Sequence, residues 1–80
     1  MLDIDWRDYI HSDPAILVGK PVIKGTRISV ELILEKLAFE TLDDILLDYP
    51  HLTRVQLQAA VLFAADALRM DDVLAAPSRA

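Results

Sequence analysis

The segment Gly19–Val30, GKPVIKGTRISV, is where the chain changes its hydrophobic period. Before Ser29 the apolar residues come in short β-branched runs broken by proline and glycine, and after it they return every three or four positions. Pro21-Val22-Ile23 enters through a proline, which suits an edge strand. Gly25 permits a positive φ before Thr26-Arg27-Ile28, so a bent, hairpin-like ribbon is expected there. Upstream, Asp8-Tyr9-Ile10-His11 reads as a short strand and Ser12-Asp13-Pro14 as a turn, which places the strands over about residues 8–28. Two or three strands this short are marginal by themselves and need helices or a second subunit to cover them.

Downstream, Val30, Ile33, Leu34 and Leu37 share one helical face, with Glu31, Glu35 and Glu40 turned away. Ser29 is a good N-cap, and the spacing predicts a helix over about 30–39. Thr41-Leu42-Asp43-Asp44 has the Thr-x-x-acid spacing of a helix start, and Pro50 bounds a short helix over 42–48. Thr53-Arg54-Val55-Gln56 is a capping-box pattern that opens a third helix over 54–69. The expected fold is mainly α: short N-terminal strands followed by three helices, in one domain over 1–70 with a tail over 71–80. Three helices with a short second and a long third match a helix-turn-helix arrangement. A three-helix bundle with no role on DNA has the same pattern.

The third helix is more apolar than a monomeric surface helix requires. At about 100° per residue, Arg54, Gln58 and Arg69 gather with Ala65 on one stripe, while Val, Leu, Phe and Ala occupy most of the remaining circumference. An apolar stripe of about 100° is enough for a helix on one core. The excess predicts an interface with a second copy or a partner, and Val61, Leu62, Phe63 and Leu68 are its candidate residues. Cover by the N-terminal ribbon is the alternative.

Composition bounds the rest. The chain has 80 residues, no cysteine and a formal net charge of -5, so no disulfide or thiolate metal site helps so small a core. With 54% apolar residues and no staple, completion of the core by a homodimer is expected. The start, MLDIDWRD, lacks the basic and apolar regions of a secretory signal, and the longest apolar run, Ala59 to Ala65, is too short to span a bilayer. The expectation is a soluble, cytoplasmic protein without a membrane partner. Its acidity opposes indiscriminate nucleic-acid binding and leaves room for a local basic contact.

That contact would come from Lys20, Lys24 and Arg27, three cations with no acid within eight residues. They serve either as solubilising charge on an edge strand or as a clamp for phosphate or carboxylate. If the third helix reads a groove, Thr53, Arg54 and Gln58 are its candidates, opposed by Asp43, Asp44 and Asp48 on the preceding helix. Gly19 to Thr26 is not a phosphate loop, because Lys24 precedes the second glycine and the glycines are spaced too far apart. His11 and His51 lie far apart without ligand spacing, and the pairs Asp43-Asp44 and Asp71-Asp72 do not converge on a substrate. No nucleophile arrangement is visible. No enzymatic activity and no cofactor are expected.

Two blocks carry a family resemblance: Gly19-Lys20-Pro21-Val22-Ile23-Lys24-Gly25-Thr26-Arg27-Ile28 and Asp44-Ile45-Leu46-Leu47-Asp48-Tyr49-Pro50-His51-Leu52-Thr53. Over about residues 8–68 the chain resembles the prokaryotic domain-of-unknown-function family 433. It departs from the pattern at Ser29, where proline is usual, and at Glu40, where glycine is usual. The resemblance implies a homeodomain-like three-helix core behind small strands, and no catalysis. It also implies an antitoxin of the VapB kind that binds and blocks a PIN-like ribonuclease toxin and often represses its own operon. On that reading the basic segment touches either operator phosphate or the toxin's acidic metal site, with Arg27 the preferred cation there, Lys24 the other on the ribbon, and Arg79 a second clamp on the tail. A stand-alone DNA-binding regulator and a dimerisation module without DNA binding remain as alternatives.

Overall fold

The computed structural model describes residues 3–70. The chain begins with a single 3-10 turn at Trp6–Asp8, because the Asp5 carboxylate accepts the Arg7 N–H at 3.0 Å and the Tyr9 N–H closes on the Trp6 carbonyl at 2.9 Å. This turn delays the first strand. β1 covers Ile10–Ser12 rather than starting at Asp8, and it pairs antiparallel with β2, Pro21–Ile23. The register sets Ile10 opposite Ile23, His11 opposite Val22 and Ser12 opposite Pro21. Between the strands the backbone makes a left-handed turn through Leu17 (φ 48°), Val18 (φ 57°) and Gly19 (φ 84°), a conformation that costs a β-branched residue most.

The expected third strand over Thr26–Ile28 does not form. The Thr26 hydroxyl donates to the Ile23 carbonyl at 2.7 Å and accepts the Ile28 N–H at 3.0 Å, so a side chain takes backbone groups that a ladder would use. What remains is a tight turn at Lys24-Gly25, with Gly25 at φ 80°, and one antiparallel bridge between Val22 and Ser29.

Three capped helices follow, each where its cap spacing places it. In α1, Val30–Leu37, the Ser29 hydroxyl accepts the Leu32 N–H at 3.0 Å. The helix ends two residues before the expected 39, because the N–H groups of Ala38 and Phe39 turn to carbonyls three residues back and tighten the last turn. In α2, Leu42–Asp48, Thr41 and Asp44 cap each other reciprocally. In α3, Arg54–Met70, Thr53 and Gln56 do the same, with the Thr53 N–H on the Gln56 side chain at 2.8 Å. Glu40, standing where the family pattern has glycine, does not need a positive φ.

Both strands and all three helices contribute to one core: Ile10 and Ile23 from the ribbon, Val30 and Ile33 from α1, Ile45 from α2, Leu52 from the connection, and Leu57, Ala59 and Ala60 from α3, with Ile4, Trp6 and Tyr9 packed against it. The two alanines are fully buried. The polar side of α1 is tied to α2 by Lys36, whose ammonium lies 3.2 Å from Glu40 and 3.8 Å from Asp48 and sits over the Tyr49 ring. The Glu40 contact foremost, helped by the charges of Tyr49 and Asp48, raises the Lys36 pKa against the opposing effect of burial. Among the described residues no helix is long and apolar enough to cross a membrane.

Candidate functional site

The cations that sequence reasoning placed on DNA are treated unequally by the fold. Lys20 is joined to Glu31 at 3.0 Å, and Arg54 is paired with Asp43 across the α2–α3 corner. Lys24 and Arg27 flank the Gly25 turn, exposed and without an ion-pair partner among the described residues. Thr53 spends its hydroxyl on capping α3. Gln58 is half-buried in the wall of a hollow beside Ile4, Leu42, Val61 and Leu62. Because the strand ends at Ile23, Lys20 and Lys24 do not share a strand face. The start of α3 thus offers no unpaired cation: Arg54 is held by Asp43, with Asp44 close by in sequence.

The apolar surplus of α3 is real on its outer side. Val61, Leu62 and Leu68 remain 42%, 40% and 51% exposed. Phe63 behaves differently from its neighbours in that set, because Trp6 covers it edge to face with ring centroids 4.8 Å apart. Cover from the N-terminal side is therefore partial. A further hollow, of about 360 Å³, is almost purely apolar and is walled by Pro21, Val30, Leu34, Phe63, Ala64 and Leu68, with the Lys20–Glu31 pair at its rim. Arg79, the remaining interface candidate, lies outside the described residues, as does the tail.

The N-terminal segment is the part of this surface that sequence reasoning missed. Trp6 donates its indole N–H to Asp66 at 2.6 Å, the Arg7 guanidinium lies 4.6 Å from the Trp6 ring centroid, and Asp66 is also paired with Arg69. The Trp6 hydrogen bond, followed by the Arg69 hydrogen bond and charge and then Arg7, outweighs burial and holds the Asp66 carboxyl below its usual range. The signal was present in MLDIDWRD, where Ile4 and Trp6 alternate with acids in a stretch read only against the pattern of a secretory signal. No three His, Asp or Glu side chains among the described residues converge into a metal site.

The fold is thus a small, mainly α module in which a two-stranded ribbon leads into three capped helices, with a partly uncovered helix as its most distinctive surface. The family described as "Protein of unknown function (DUF433)" matches residues 10–64, and the chain belongs to it. No curated protein and no solved structure matches the chain.

Proposed function

We propose that this chain is a non-catalytic, antitoxin-like binding module that neutralises a PIN-like ribonuclease through protein–protein contact, with α3 as its main face. The observation that carries this reading is the exposure of Val61, Leu62 and Leu68 on one helix of an acidic chain. Apolar patches on small domains mark interaction surfaces. Pairing of Arg54 with Asp43 and of Lys20 with Glu31 supports protein contact over groove reading as the primary task.

The test is co-expression with the product of the neighbouring reading frame. The native chain relieves growth arrest and suppresses RNA cleavage in the purified pair, and Leu62→Glu with Leu68→Glu abolishes both effects while keeping helical content. Undiminished neutralisation by the folded double variant moves the contact off α3. The same face also accommodates a homodimer.

One observation favours an added role on operator DNA: among the described residues Lys24 and Arg27 present two cations without acid partners on one turn. Their contacts are with phosphate, so binding is weak, non-specific on its own, and steeply salt-dependent. In the toxin complex the same turn, led by Arg27, suits the carboxylates of a nuclease centre.

A further inference from the structure

The apolar hollow of about 360 Å³ between the ribbon, α1 and α3 reaches the last turns of α3. Its α3 wall is Phe63, Ala64, Ala67 and Leu68, on one helical face, with Leu34 of α1 opposite. The two alanines let an incoming chain come close to the helix backbone. At the rim, the Lys20 ammonium donates to Glu31 at 3.0 Å, and both side chains of that pair are largely exposed. An ammonium has three donors, and among the described residues only Glu31 takes one, so Lys20 can receive a further carboxylate.

Residues 71–80, outside the described ones, carry a single apolar run, Val73-Leu74-Ala75-Ala76, between the pair Asp71-Asp72 and Pro77. Two carboxylates at the negative end of a helix dipole oppose continuation of α3 through them, so a turn at Asp71-Asp72 is expected. Beyond such a turn, four extended residues cover about 13 Å. The face of α3 from Met70 back to Phe63 is about 10 Å long. The apolar run therefore spans the hollow, and the acid pair beside it is opposite in charge to Lys20.

Covalent attachment decides between this occupant and a free one. A segment tethered two or three residues from its site acts at an effective concentration in the millimolar range, well above a second copy at micromolar concentration. We propose that Val73 and Leu74 fold back along α3 and seat in the hollow against Leu34, Phe63 and Ala67, so that the chain covers this part of α3 with its own tail. Val61 and Leu62 do not line the hollow and stay open to a partner, while Leu68 borders both surfaces. The contact belongs to the free chain and does not depend on the function proposed above.

The test is nuclear magnetic resonance on the full chain, with isotope-labelled and unlabelled copies mixed so that contacts within one molecule separate from contacts between two. The Val73 and Leu74 methyls are expected to show Overhauser contacts to the Phe63 ring and the Ala67 methyl within one molecule, unchanged on dilution. Val73→Asp combined with Leu74→Asp is expected to remove these contacts and to shift the Phe63 and Ala67 resonances, with the helix signal retained. Absence of the contacts in the native chain overturns the proposal. Contacts found only between molecules give the hollow to a second copy, and helical contacts running through Ala76 show α3 continuing past it; both overturn it. Unmoved Phe63 and Ala67 resonances in the double variant, or loss of its helix signal, overturn it as well, since the tail would then be off the hollow or part of the core.

Discussion

Trp6 and Asp66 stand sixty residues apart in the chain and are joined by a 2.6 Å hydrogen bond, indole N–H to carboxylate. The bond favours the ionised carboxylate, which Arg69 and, more weakly, Arg7 also stabilise, so Asp66 titrates below the ordinary aspartate value of about 3.9. A lowered folded-state pKa contributes stability that is present above the unfolded value and lost as pH falls through the folded one. The native chain is therefore expected to melt above Asp66→Asn at neutral pH, and the gap should close on acidification below about pH 4. Thermal melts of both proteins across a pH series check this. A gap independent of pH would assign the difference to packing.

Two turns separate the costs of left-handed backbone. Gly25, at φ 80°, has open space where a Cβ would stand, so Gly25→Ala is penalised by conformation alone, by about 1–2 kcal/mol. Val18 occupies the same region of φ and is 93% exposed, so little packing opposes a change there. Val18→Asn is expected to raise stability by about 1 kcal/mol, because asparagine visits that region far more readily. Urea denaturation of the two variants should show opposite signs, and a destabilised Val18→Asn would mean that Val18 has a contact in solution.

Hydrophobicity by itself does not predict cost in this chain. Ile33 is fully buried in the core, and Ile33→Ala should lose about 2–5 kcal/mol. Phe39, larger and just beyond the end of α1, is 92% exposed, and Phe39→Ser should stay within about 0.5 kcal/mol. Equal losses would place Phe39 in an interface of the free protein.

A second copy on α3 has a clean test, because Val61 and Leu62 are exposed enough for a charge to remain hydrated in the single chain. Leu62→Glu should leave the helical content intact and convert a dimer to a monomer by burying an unpaired carboxylate only in the assembly. Light scattering at micromolar concentration reads the result. A native chain that is already monomeric removes the homodimer and leaves the face to another protein.

Ser29, Thr41 and Thr53 mark the three helix starts in the sequence and in the fold, because a cap is a bond between a side chain and a backbone group three residues away. The apolar stripe of α3 was legible for the same local reason: helical geometry converts spacing into a face. Spacing did not reveal that Thr26 would cancel a third strand, nor that Asp43 and Glu31 would neutralise two of the cations read as candidate DNA contacts, Arg54 in the groove and Lys20 on phosphate. It also left Trp6 as one residue in an acidic leader, where the fold makes it the cover of Phe63 and the partner of Asp66. Those outcomes depend on which elements meet. A residue's partner eleven or sixty positions away is chosen by how the ribbon and helices pack around Ile23, Ile33 and Leu57, and no local period carries that information.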